Sequence, residues 1–136
     1  MDMEMDMDPT LRIVRALRRT AANRRVLPYG KFHAMFDRTV PLIKRYQVLE
    51  SAINALGDVS SIDYGALLAC DNGLPGPDFF QRYRRHRLDD FVAVMGDPRF
   101  CRQSRKQQRV LADRERERVY AHARPISELE DQRECA

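Results

Sequence analysis

YGALLACDNGLPGPDFFQRYRRHR, residues 64 to 87, sets a short apolar run against a glycine- and proline-rich bend and then a dense group of cations. The run Ile62 to Cys70 reads as a strand, although its alanines have low β-propensity. Asn72-Gly73 is a strong turn signal, and Pro75 with Gly76 extends it. A second strand after the bend is confined to Phe79-Phe80 or absent. On this reading the bend closes a small β-hairpin beside a helix. Phe79 and Phe80, Tyr83, Leu88, Phe91-Val92 and Met95 recur at helical spacing and predict a helix over 78–95. Its arginines Arg82, Arg84, Arg85 and Arg87 then fall outward, away from the aromatic anchor.

Upstream, Asp8-Pro9 is a helix start, an N-cap followed by proline at the first helical position. Leu11, Val14, Ala16-Leu17 and Ala21 predict a helix over 9–24, with Arg12, Arg15, Arg18 and Arg19 around its other face. Pro28-Tyr29-Gly30 breaks it, and YGKFHAMF (29–36) makes a short second helix. Thr39-Val40-Pro41 caps a third helix ending at Leu56 before Gly57. Leu42, Ile43, Tyr46, Leu49, Ile53 and Leu56 form its apolar stripe. Lys44, Arg45, Gln47, Ser51 and Asn54 occupy the opposite side. Two helices joined by a short turn, the second with a polar face, outline a helix-turn-helix.

The last helix, about 103–123, carries only Val110, Leu111, Val119 and Tyr120 as strongly apolar residues. It is expected to lie solvated or across the surface, with DRERERVY forming intrahelical ion pairs. The fold expected is therefore mainly α with a small β-hairpin, a winged-helix-like core followed by a long charged C-terminal helix. Its parts are a disordered acidic tail (1–8), a winged-helix-like domain (9–100), the charged helix (101–124) and a second acidic tail (125–136).

Charge narrows the function. The 136 residues carry a net charge of +4, but both tails are acidic, and residues 9–124 hold 23 cations against 12 acids. Of the 24 cations, 21 are arginine, whose planar fork suits phosphates and carboxylates. From Arg82 to Arg109 nine cations stand against Asp89, Asp90 and Asp97. Such density attracts an acidic partner by counterion release. No apolar run approaches the roughly 18 residues that span a membrane, and no signal peptide opens the chain, so a cytoplasmic protein is expected. Cys70, Cys101 and Cys135 are widely spaced and suit reduced thiols.

Three segments carry a resemblance: VLPYGKFHAMF (26–36), NGLPGPDFF (72–80) and ERERVYAHA (115–123). In this order they resemble a group of small bacterial and phage proteins with a winged-helix-like layout. That group is distantly similar to the DNA-binding half of alkyltransferase-like proteins. The resemblance implies a fold and no activity; the role expected for the chain is regulatory or auxiliary, in a phage or defence setting. The reactive Pro-Cys-His-Arg stretch of the repair proteins has no counterpart, since Cys70 stands in ACDNG, and alkyl transfer is not implied.

Catalysis finds little support in the residues. Cys70 reads as a buried structural thiol. Cys101, among Arg99, Arg102 and Arg105, is the better placed for a lowered pKa but reads as incidental. His33, His86 and His122 are isolated, without metal-ligand spacing. NGLPGP lacks the Gly-Lys-Ser/Thr of a phosphate loop. The expectation is a non-catalytic, cofactor-free and metal-free binder of nucleic acid, with duplex DNA as its partner. Lys44, Arg45, Gln47, Ser51 and Asn54 would face the groove. Arg82, Arg84, Arg85, Arg87, Arg102, Arg105 and Lys106 would contact phosphates. The alternative is an inhibitor or accessory subunit docking on an acidic protein surface. An enzyme subunit completed by another chain is the third reading.

Overall fold

In the computed structural model the described residues are 8–97 and 104–134, with side chains as far as 124. Six helices, α1 (Pro9–Ala22), α2 (Tyr29–Ala34), α3 (Leu42–Leu56), α4 (Pro77–His86), α5 (Leu88–Met95) and α6 (Arg105–Glu134), make most of the fold. Two short strands, β1 (Leu27–Pro28) and β2 (Leu68–Ala69), complete it. The start of α1 follows its signals. The Asp8 carboxylate accepts from the Thr10 backbone N–H at 2.9 Å, and Pro9 opens the helix. Ile13, Val14, Leu17 and Ala21 are its buried face, whereas Leu11 is exposed.

The hairpin is where the structure corrects the sequence reading. Leu27 pairs with Leu68 and Pro28 with Ala69 in a parallel ladder, so the two strands come from distant segments. Tyr64–Leu67 is a 3₁₀ turn rather than strand, entered through Asp63, whose side chain accepts from the Gly65 N–H. The Asn72-Gly73 bend does form. Cys70 N–H donates to the Leu74 carbonyl and Gly73 N–H to the Cys70 carbonyl, both at 2.8 Å, and Gly73 takes a left-handed φ of 82°. What leaves the bend is not a returning strand but α4, opened by Pro77. Cys70, at the mouth of the bend, is exposed rather than buried.

The single helix expected over 78–95 is two. At Arg87 the backbone leaves helical space (φ −136°, ψ 54°), and α5 restarts with Asp89 and Asp90 in its first turn, where acids favour the helix dipole. The Tyr83 hydroxyl donates to Asp90 across the break.

The core has two apolar halves. One gathers Ile13, Leu17, Phe32, Leu49, Ile53, Tyr64 and Leu67 from α1 to the 3₁₀ turn. The other gathers Leu74, Phe79, Tyr83, Phe91 and Met95 from α4 and α5. Helix α6 serves both, giving Leu111 and Ala112 to the second and Val119 and Ala123 to the first. The expectation of a solvated final helix is therefore overturned, because α6 is the spine of the fold. It also runs on through residue 125 to Glu134, where a separate acidic tail was expected. It begins with a capping box, Ser104 Oγ accepting from the Gln107 N–H at 3.2 Å and Gln107 Oε1 from the Ser104 N–H at 2.9 Å.

Between the apolar halves runs a polar seam. Glu115 and Arg116, both buried, face inward from α6. Glu115 accepts from the Asp63 N–H and pairs with Arg118 at 3.0 Å and Arg87 at 3.3 Å. Arg116 donates to the carbonyls of Ala66, Leu68 and Gly73. Burial this deep is rare for charges and requires their full pairing.

Candidate nucleic-acid interface

The corner between α2 and α3 is built on aromatic packing. Phe32 is fully buried, with Phe36 and Tyr46 ring centroids 5.3 and 6.1 Å away. Arg45 closes the corner. Its Nε donates to the Val40 carbonyl at 2.9 Å, a terminal nitrogen reaches Asp37 O at 3.3 Å, and the guanidinium lies 5.7 Å from the Phe36 ring centre. Arg45, expected to read DNA, is thus spent on holding the turn. Lys44, Gln47, Ser51 and Asn54 are exposed along α3 as expected, with the acid Glu50 exposed on the adjoining flank.

His33 belongs to the same corner. Its Nδ1 is shut off from solvent without a hydrogen-bond partner, while Nε2 sits 3.4 Å from the Tyr46 hydroxyl. Burial, helped by the charge of Arg45, pushes the imidazole below its ordinary pKa near 6.5. A base with a depressed folded pKa binds fewer protons folded than unfolded. Its stabilising contribution is complete above about 6.5 and shrinks as pH falls through that value. The expected result is a loss of stability on acidification that His33→Gln reduces. Parallel urea titrations at about pH 7 and pH 5 measure it; identical pH slopes in the two proteins would refute the assignment.

The α4 arginines divide. Arg84 and Arg85 are exposed and make no ion pair among the described residues. Arg82 instead grips Asp63 bidentately at 2.7 and 3.3 Å. Arg87 turns in to Glu115 and donates to the Ser61 carbonyl at 2.6 Å. The outward face expected from 82, 84, 85 and 87 is therefore half as large. Arg82 turns inward from α4 to Asp63, and Arg87, at the break before α5, turns inward to Glu115. Arg105 and Lys106 are exposed on the first turn of α6. Arg102 and Cys101, like residues 1–7, lie outside the described residues.

A basic row on α1 carries more exposed charge than α4. Arg15, Arg18 and Arg19 stand at i, i+3 and i+4, opposite the buried Ile13 and Leu17, and all three are exposed. Between residues 9 and 36 the sequence holds seven cations and no acid. That signal was legible without coordinates, since an acid-free stretch cannot neutralise its arginines locally. Arg12 is partly withdrawn, donating to the Met35 carbonyl, and Arg24 pairs with Glu117 at 2.8 Å in solvent.

Among the described residues no group of three or more His, Cys, Asp or Glu side chains is placed to hold a metal ion, and no helix is long and apolar enough to cross a membrane. No protein-family model, curated protein or solved structure matches the chain significantly.

Proposed function

We propose that the protein binds nucleic acid, duplex DNA in the first instance, by sequence-independent phosphate contacts and without catalysis. The row Arg15–Arg18–Arg19 on an acid-free helix is the observation that carries this reading. Arg84, Arg85, Arg105 and Lys106 add exposed cations, and α3 offers Lys44, Gln47, Ser51 and Asn54 for base edges. In a winged-helix-like scheme, α2 and α3 supply the helix-turn-helix part. The bend at Asn72-Gly73 leads into α4 rather than into a returning strand, so it supplies no wing. A regulatory or auxiliary role suits a small binder of this kind.

The test is a salt titration of duplex binding. Non-specific affinity is expected at roughly micromolar to hundred-micromolar Kd near physiological salt, with log K falling linearly in log salt. Replacing Arg84 and Arg85 with alanine should shrink the slope by about one to two, and replacing Arg15, Arg18 and Arg19 by about two to three. Both sets are exposed, so thermal stability should stay close to wild type. A folded protein that retains neither DNA nor RNA at low salt would sink the proposal. The arginines would then belong to a dock for an acidic protein, the alternative role of inhibitor or accessory subunit. Recovery of such a partner from cell extract, surviving nuclease treatment, would establish that role.

A further inference from the structure

The apolar stripe of α3 runs past the core it serves. Leu49, Ile53 and Leu56 are buried, but Leu42, Ile43 and Tyr46, on the first turns, are 58%, 70% and 40% exposed. Ile43 and Tyr46 wall a groove of about 270 Å³, and the buried Leu49, Ile53, Leu68 and Phe79 form its floor. Tyr29 closes the far side, its hydroxyl held by the Gly76 N–H at 3.3 Å. Exposed apolar side chains contiguous with a preformed cavity mark a binding surface, with the cavity as seat for one bulky anchor.

The charges around the groove say what accompanies that anchor. Glu50 and Asp78 line it and are exposed. Arg82 also lines it, but its charge is consumed by Asp63, and it lies so close over Gly65 that an added Cβ would fall 2.3 Å from the guanidinium. The lip is therefore acidic on a protein that is otherwise basic. The tyrosine rings at 29 and 46 add faces that attract cations.

We propose that this groove is a docking site for a cationic amphipathic segment of a partner protein, a Leu- or Phe-sized anchor flanked by Arg or Lys. The anchor fills the cavity over Leu49 and Phe79, and the flanking cations meet Glu50 and Asp78. The site is distinct from the arginine row on α1, although Gln47 of the polar face of α3 also lines it, and it does not depend on phosphate binding.

Fluorescence anisotropy tests it with two labelled nine-residue peptides, one bearing a Leu-Phe pair between arginines and the other glutamates in their place. The arginine peptide should bind and the glutamate peptide bind at least about tenfold more weakly. Ile43→Ser and Glu50→Lys, both at exposed positions, should each weaken the arginine peptide by about tenfold. Ile43→Ser should leave the salt slope for DNA unchanged, which separates this site from the phosphate-binding one. Equal binding of both peptides, binding of neither, or indifference to Ile43→Ser would overturn the proposal. So would self-association in sedimentation that Ile43→Ser abolishes while the peptides stay unbound, since the occupant would then be a second copy.

Discussion

Arg116→Met is expected to lower unfolding stability by about 3–5 kcal/mol, one of the two largest single-residue effects anticipated for this fold. The Arg116 side chain lies in the seam between the two apolar halves with a relative exposure of 7% for the residue. Its Nε donates to the Ala66 carbonyl at 2.7 Å, and a terminal nitrogen donates to Gly73 at 2.9 Å and Leu68 at 3.3 Å. One guanidinium thus fastens the 3₁₀ turn, β2 and the Asn72-Gly73 bend to α6. Methionine preserves most of the volume, so the loss reports the hydrogen bonds rather than a cavity. Withdrawing a donor from a buried carbonyl costs about 1–3 kcal/mol per group, and three are affected. Burial holds the Arg116 pKa below its usual value, so desolvation offsets part of what the bonds supply. Lysine should not rescue, because a single ammonium cannot span three carbonyls in a planar fork. Urea unfolding decides the matter, and a loss under about 1 kcal/mol would mean that the segment is held by packing alone.

This seam also explains what the sequence made legible and what it hid. Helices α1 and α3 were readable because the cap at Asp8-Pro9 and the punctuation at Pro41 and Leu56-Gly57 agree with periodicity, although α3 starts at Pro41 without the side-chain cap expected from Thr39. The faces were less so. Ile43 and Tyr46 follow the apolar spacing of α3, yet periodicity cannot say where the covering layer ends. The bend at Asn72-Gly73 was read correctly as a turn and wrongly as a hairpin, since turn chemistry specifies reversal of the chain and not the partner strand. β2 pairs instead with Leu27-Pro28, some forty residues earlier. Helix α6 was misread for a sharper reason. Its buried stripe is Leu111, Ala112, Glu115, Arg116, Val119 and Ala123, and two charged residues in the middle disguise a core face as a solvated one. The same concealment misplaced Arg82 and Arg87. Their acidic partners, Asp63 and Glu115, are 19 and 28 residues away in sequence, and only the tertiary fold brings them together. In the candidate interface, the exposure of Arg84, Arg85, Arg105, Lys106 and, apart from Arg45, the polar face of α3 was legible because exposure is the default for polar and unpaired charged side chains. The α1 row meets the same criterion, but its charge is less dense in sequence than the cluster after Arg82.

Glu115→Leu is expected to cost about 3–5 kcal/mol as well, by stranding two cations rather than by removing hydrogen bonds from carbonyls. The Glu115 side chain is 3% exposed, against 28% for Arg87 and 34% for Arg118. Its Oε1 meets Arg118 at 3.0 Å and Arg87 at 3.3 Å, while Oε2 accepts from the Asp63 backbone N–H at 3.2 Å. Leucine in its place leaves the Asp63 amide without its acceptor and takes the carboxylate from both guanidinium groups, which keep only the Ser61 carbonyl (Arg87) and the Tyr83 hydroxyl (Arg118) among the described residues. Glu115→Gln keeps the shape and an acceptor for Asp63 but removes the charge, so its loss should be smaller, about 1–3 kcal/mol. The decisive variant is the pair Glu115→Leu with Arg87→Met. If the cost of Glu115→Leu comes from an uncompensated charge, adding Arg87→Met should return part of the lost stability, although Arg87→Met alone destabilises. Denaturant unfolding of the four proteins closes the cycle. Strict additivity of the two single losses would show that Glu115 and Arg87 do not act as a pair. Coupling of about 1 kcal/mol or more would show that a buried carboxylate on α6 holds Arg87 inward at the α4–α5 break, leaving Arg84 and Arg85 as the outward cations of that helix.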